Sequence, residues 1–411
     1  MAITILQAPG SFTAGTPYSG HSMHAPVWHV VSSTNAALPG FRYIFDITTD
    51  GYFPGGAFGF GPITVRMLVV PDANFQGIID ISRIVRSFRM GYFDPRGTAQ
   101  APYAIKTDGL ICTYAMRYGE EFGGTQYPAL EEDAHFLFNT YIGETPGTSL
   151  DTPAAPYFKS WATNQDTGNI LIPATGSTFL SYFNVPNGDS LKMRVNLTGA
   201  GGIIGPDHDT TASVIPEHLL VLNLNHNYIN AAYGSPVLAA SSDYRVALFT
   251  SGGTQRTAWA YVLRMCEPKT PVTTLHFLNR IGGFDTYHFT GPTRKGVALE
   301  RKTFEQIPAI SSGGMVREYN SVNKVFADTV IPFNSRHTWT RRLVSGHLND
   351  ATHEWLWQLV ASPEVYLEED GYFYPVRIKT DNWAQRLARF DKMYNLELEI
   401  IMGRQVLSQS R

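Results

Sequence analysis

The sequence predicts a mainly β protein, built as tandem antiparallel β-sandwich units followed by a β-rich C-terminal domain with one short helix. Three observations predict it. Short apolar or alternating runs recur along all 411 residues, each bounded by Gly, Pro, Asn or Asp, which is the punctuation of strands and turns. Helical periodicity is scarce, so the regular strand–helix alternation of a doubly wound sheet is missing. Aromatic content is high, with 7 Trp, 21 Tyr and 24 Phe in a chain that is 43% hydrophobic, enough to fill several cores and to exclude wholesale disorder.

Taken in order, the strand-like runs are Trp28 to Val31, Arg42 to Ile47, Ile63 to Val70, Leu110 to Tyr114 and Phe136 to Ile142. Phe179 to Phe183, Leu191 to Asn196, Leu219 to Leu224, Arg245 to Phe249 and Trp259 to Met265 continue the series, at a spacing that suits Ig-like sandwiches. Two helices are expected. Asp80 is placed to cap a turn or two carrying Ile81, Ile84, Val85 and Phe88, with Arg83 and Arg86 toward solvent. Asn349 is placed to cap a second, in which Trp355, Leu356, Leu359 and Val360 recur at helical spacing before Pro363. Near the end, Leu396, Leu398 and Ile400 alternate with Glu397 and Glu399, a strand with one buried and one wet face.

These signals divide the chain into an N-terminal arm (1–24), a first sandwich (25–124), a second sandwich (125–266) and a C-terminal β-rich assembly domain (267–411). The arm is polar and Gly/Pro-rich, the kind of segment that orders when a neighbour covers it, and it is expected to contact an adjacent subunit. Charged residues are only 16% of the chain, against about 25% in ordinary soluble domains, so the composition points to surfaces hidden against partners or copies. The net charge of −3 argues against nucleic-acid wrapping and sequence-specific nucleic-acid binding. Two cysteines, Cys112 and Cys266, are too few for a disulfide framework or a Cys₄ zinc site. The opening MAITILQAPGSF lacks the pattern of a signal peptide, and no long apolar run occurs, so synthesis in a cytoplasm and no membrane insertion are expected.

The chemical motifs read mostly as structure. His21, His24 and His29 offer a His-x-x-His pair, but no helix aligns the rings and no carboxylate or thiolate is near, so an arm is favoured over a metal site. Asp207-His208-Asp209 reads as a solvated turn. The glycine-rich stretch Gly55 to Gly61 leads into a strand rather than a helix, which excludes a phosphate loop; a hairpin tip presenting Phe58 and Phe60 to a neighbour is the expectation. Glu131-Glu132-Asp133 and Glu368-Glu369-Asp370 sit beside turn residues and read as loop ends rather than a glycosidase pair. Gly-x-Ser-x-Gly and His-Glu-x-x-His are absent, and neither catalytic residues nor a cofactor is expected.

Trp28-His-Val-Val-Ser-Ser-Thr-Asn, Phe41-Arg-Tyr-Ile-Phe-Asp, Asp80-Ile-Ser-Arg-Ile-Val and Arg117-Tyr-Gly-Glu-Glu-Phe resemble the opening sandwich of a family of virion structural proteins of tailed phages that infect Bacteroidetes. Leu275 to Phe289, which includes Asn279-Arg280-Ile281-Gly282-Gly283-Phe284-Asp285, resembles that family's third unit, as do Ser362 to Leu367 and Asp391 to Arg404. The resemblance spans most of the chain and is weakest from Glu144 to Pro216. It implies a non-enzymatic subunit of the tail tip, baseplate or neck that closes into a homo-oligomeric ring, contacts other tail or neck proteins and resides in the virion. Asn279, Arg280, Gly282, Gly283, Phe284 and Asp285 join Phe58 and Phe60 as candidate interface residues, with a turn that the fold itself requires as the plainer reading. A carbohydrate- or receptor-binding module, directed for example at a host-surface glycan, is the alternative.

Overall fold

In a computed structural model, the described residues are 3–8, 21–22, 26–49, 63–88, 99–101, 104–106, 111–130, 134–138, 169–173, 176–183, 190–199, 202–210, 213–214, 219–233, 243–265, 268–279, 283–305, 310–312, 315–317, 319–320, 325–326, 330–379, 395–403 and 406–408. They form a mainly β structure with three helices, α1 (Ser82–Phe88), α2 (His226–Tyr233) and α3 (Asp350–Ala361). The chain divides into two compact units. Unit 1 holds Met1–Pro268, Thr274–His288 and Trp355–Pro363; unit 2 holds Lys269–Thr273, Phe289–Glu354 and Glu364–Arg411.

Unit 1 contains two sandwich cores. In the first, strands Ile3–Gln7, Trp28–Ser33 and Gln76–Asp80 form one sheet. His21–Ser22, Ala134–Phe138, Ile111–Phe122, Arg42–Thr49 and Ile63–Val69 form the other, with Thr125–Leu130 folded back on Ile111–Phe122. Alternation in Arg42–Thr49 sends Tyr43, Phe45 and Ile47 inward, where they meet Val31, Ile79, Tyr114, Met116 and Tyr118. Each such side chain contributes about 1.5–3 kcal/mol by leaving water. Gly77 lies flush against the Tyr43 ring, and a Cβ there would fall 2.5 Å from Tyr43 Cδ2. Asp80 caps α1 by accepting from the Ser82 amide at 2.9 Å, and also holds the Val27 amide at 2.9 Å.

The boundary expected at residue 124 falls inside a hairpin. Gly123 and Gly124 take φ of 58° and 77° between the paired residues Phe122 and Thr125, the geometry of a two-residue primed turn. The strand Ala104–Lys106 instead pairs with Leu219–Asn223 of the second core. The two sandwiches of unit 1 therefore exchange strands across the expected boundary.

The second core lies between the sheet Asn169–Ile172, Ala260–Arg264, Asp243–Thr250, Ser190–Gly199, Gly202–Asp209 and the sheet Phe179–Phe183, Leu219–Asn223, Ala104–Lys106, Ala99–Ala101. Leu191, Met193, Val195, Tyr244, Val246, Leu248 and Val262 point inward from the first of these. Pairing is antiparallel except where Asn169–Ile172 runs parallel to Ala260–Arg264, and, in the first sandwich, His21–Ser22 parallel to Ala134–Phe138. Helix α2, which carries little sequence signal, seats Ile229 in this core behind an Asn225 cap that accepts from the Asn227 amide at 3.0 Å.

In unit 2 the strands Val365–Glu369, Tyr372–Ile378, Glu397–Met402, Val330–Val344 and Arg294–Glu305 follow one another in a sheet, with Val406–Ser408 also paired to Val330–Val344. Asp370 and Gly371, with φ of 53° and 73°, make the primed turn of the first hairpin. Leu343, Leu398 and Ile400 are buried on one face, while Glu397 pairs with Arg342 and Glu399 with Lys379 on the other.

Candidate interaction surfaces

The hairpin Thr273–Leu278/Phe284–Phe289 is a run of apolar residues interrupted by Thr, His, Asn and Asp, and the polar interruptions are buried within unit 1. Asn279 closes the turn from both sides: its amide donates to Gly283 O at 2.8 Å, and its Oδ1 accepts from the Gly283 amide at 3.0 Å. Its Nδ2 donates to Asp285 Oδ1 at 3.0 Å, while Asp285 Oδ2 accepts from Trp355 Nε1 at 2.9 Å. The Phe284 amide donates to Ser181 Oγ and the Phe179 amide to Thr286 Oγ1. His288 bridges Thr178 and Thr274, at 2.8 and 2.9 Å. Buried polar groups need such partners; here they tie the hairpin to the strand Phe179–Phe183 and to the second part of α3.

Asn279, Phe284 and Asp285 are thus interior residues, 0–1% exposed, rather than part of an outer surface. Gly283 is the turn residue that Asn279 holds. Arg280, Gly282, Phe58 and Phe60 lie outside the described residues, as does the His24 imidazole. His29 is buried, with Nδ1 on Tyr118 Oη at 2.8 Å and Nε2 on Tyr114 Oη at 2.9 Å, so it serves the first core.

A more open arrangement covers the outer face of the second sandwich. Lys192, Arg194 and Asn196 alternate with inward Leu191, Met193 and Val195 and share the outer face, where Lys192 and Arg194 are partly exposed and Asn196 is covered by its neighbours. Arg194 forks onto Asp209 and reaches Asp207 at 2.8 Å, and Lys192 meets Asp209 at 2.7 Å. That fork is the main reason the Asp209 carboxyl titrates at about 2. Asp207-His208-Asp209 is accordingly a strand segment braced by cations, not a turn. In the same face, the Arg245 guanidinium lies 3.9 Å over the Trp259 ring, Arg194 lies 4.3 Å over Phe249, and Phe249 and Trp259 contact each other. Arg245 Nε donates to Asn196 Oδ1 at 3.1 Å, and Tyr261 is register-paired with Arg245 and 43% exposed. The runs Leu191 to Asn196 and Arg245 to Phe249 are the sequence signal for this face; the cross-strand register is not contained in them.

The third arrangement belongs to the unit 2 sheet. Pair registers put Val297 opposite Trp339, Met402 in line with Trp339, and Val376 between Met402 and Val365. This single row begins at Val365 and Val376, which are buried, and runs out to Trp339 and Val297, which are 45% and 43% exposed. Leu299, Tyr372 and Tyr374 stand exposed on the same face. Glu369, on the first strand of the order, pairs with Lys295 on the last strand and with Arg341, so the sheet curls and this apolar face is its concave side. Lys295 and Arg341 also oppose the burial that would raise the Glu369 carboxyl, leaving it below its ordinary range.

Among the described residues no cluster of His, Cys, Asp and Glu is arranged to hold a metal ion, and no helix is long and apolar enough to cross a membrane. Glu131-Glu132-Asp133 lies outside the described residues, and Glu369 is engaged by two cations. No family model matches the chain, and no curated protein does. Among solved structures, one from the Bacteroides ovatus mixed-linkage glucan utilization locus, SGBP-B in complex with a mixed-linkage heptasaccharide, is 10% identical with a TM-score of 0.16. The match covers 84% of this chain and 65% of that one, so the chain spans about two thirds of its length. A protein of unknown function from Porphyromonas gingivalis W83 is 9% identical with a TM-score of 0.15, over 65% of this chain and 100% of that one. Likeness at this level carries no functional weight.

Proposed function

We propose that the chain is a non-enzymatic structural subunit that assembles with copies of itself through the concave sheet face of unit 2. The observation that carries this reading is the row that continues from buried Val365 and Val376 to exposed Trp339 and Val297, with Leu299, Tyr372 and Tyr374 beside it. A contiguous apolar surface rimmed by Lys295, Arg341 and Glu369 has the composition of an interface centre with a polar border. The low charged fraction is in keeping with surfaces covered in an assembly. The sequence resemblance extends this to a closed homo-oligomeric ring in a phage tail tip, baseplate or neck, built in the bacterial cytoplasm and in contact with other tail or neck proteins. Leu299→Glu places a charge on the exposed part of the face, at the last strand of the sheet, and is expected to abolish self-association, measured by light scattering, without unfolding the chain. Unchanged association would remove this face from the interface.

A second reading, a carbohydrate-binding module, is favoured by one observation: the outer face of the second sandwich presents Trp259, Tyr261 and Arg245 side by side. Aromatic rings beside planar polar groups are suited to the apolar faces and hydroxyls of sugars.

A further inference from the structure

Among the described residues, the outer face of the second sandwich contains a cation that makes no ion pair. Arg194 and Lys192 are neutralised by Asp207 and Asp209. Arg245 is not: its Nε donates to the neutral Asn196 amide oxygen and its plane rests on Trp259, but it pairs with no carboxylate among the described residues. Both terminal amino groups of its guanidinium are therefore left to donate to a planar anion in a fork, already oriented by the ring beneath them.

The surroundings state what else the ligand carries. Tyr261, register-paired with Arg245 on the neighbouring strand, gives an exposed ring on one side. On the other side Asn196 is fully buried and engaged by Arg245 and Asp207, and Asp207 keeps half of its side chain in solvent. Tyr261, Arg245, Asn196 and Asp207 form one row across four adjacent strands, a length of about 14 Å at the usual strand spacing, the reach of a short oligosaccharide. Leu171, 52% exposed on the next strand beyond Tyr261, extends the apolar end.

We propose that this row binds an acidic saccharide, with a sugar carboxylate on Arg245, a pyranose face on Tyr261 and a hydroxyl on the exposed part of Asp207. The inference rests on the carbohydrate-binding reading and narrows it to uronate-type ligands. An acidic peptide would satisfy Arg245 as well, but the exposed Tyr261 ring and the half-exposed Asp207 carboxylate on either side of it suit the apolar face and the hydroxyls of a sugar ring.

Isothermal titration of the full chain with tri-galacturonate, with a neutral galactose trisaccharide and with a glutamate-rich hexapeptide tests this. The uronate is expected to bind, with the neutral sugar at least about tenfold weaker, as expected for loss of a charge-assisted fork. Arg245→Gln is expected to lower uronate affinity by about tenfold and Arg245→Lys by less, since charge without the planar fork is only a partial substitute. Tyr261→Ala, at an exposed position, checks the stacking contact in a chain that remains folded. Equal binding of neutral and acidic sugars, or an unchanged Arg245→Gln, overturns the uronate assignment and leaves the carbohydrate reading intact. Binding of neither sugar overturns both, and binding of the peptide alone makes the row a protein contact.

Discussion

Asp285→Ala tests whether the polar interior of unit 1 fastens the 274–288 hairpin. Two buried donors converge on that carboxylate, Asn279 Nδ2 at 3.0 Å and Trp355 Nε1 at 2.9 Å, and neither has water to fall back on. A buried donor left without its acceptor costs about 1–3 kcal/mol, so the truncation is expected to cost about 2–6 kcal/mol in all. Asp285→Asn separates geometry from charge: one oxygen still accepts, but its amide group faces a donor, and the expected cost is about 1–3 kcal/mol. Urea denaturation followed by tryptophan fluorescence reads the midpoint, and an unchanged slope shows that the same surface unfolds. An Asp285→Ala chain within about 0.5 kcal/mol of the parent, the range of ordinary surface changes, would refute the claim.

Other substitutions probe separate parts of the molecule. Gly77→Ala forces a Cβ into the Tyr43 ring and is expected to cost about 1–3 kcal/mol by overpacking, read as a lowered thermal midpoint. Tyr43→Phe removes the hydroxyl that donates to Phe75 O at 2.6 Å, an expected loss of about 1 kcal/mol. Asp209 titrates at about 2 when folded, below its ordinary 3.8, so its contribution is full above the ordinary value and disappears as pH falls through about 2. Because that pair is partly solvated, its worth is discounted to about 1 kcal/mol; Asp209→Asn is expected to lose that amount at pH 7 and to match the parent near pH 2 in denaturation midpoints.

Much of the fold was legible because alternation survives wherever one face of a strand is dry. Arg42 to Ile47, Phe179 to Phe183 and Leu191 to Asn196 are strands as read, and both caps act as expected: Asp80 holds the Ser82 amide and Asn349 the Thr352 amide. The long pair Arg294–Glu305 and Val330–Val344 carries little sequence signal because both of its faces are largely wet and its charges mask the period. Helix α2 is faint in the sequence because Asn, Tyr and Ala in His226–Tyr233 give a weak apolar stripe. Strand exchange across residue 124 depends on pairing between distant segments, which local pattern does not encode. The candidate surfaces were least legible for the same reason. Trp259 and Arg245 become neighbours only through register, whereas Asn279 and Asp285, which draw the eye in sequence, are spent inside the fold.

Association of like chains through the concave face of unit 2 is directly measurable. Light scattering of the full chain across a concentration series, beside Leu299→Glu, addresses it most directly. The expected result is a discrete multiple of 45.6 kDa for the parent and 45.6 kDa for the variant, with matching thermal midpoints. A parent that stays at 45.6 kDa at every concentration, or a variant that associates as the parent does, contradicts it.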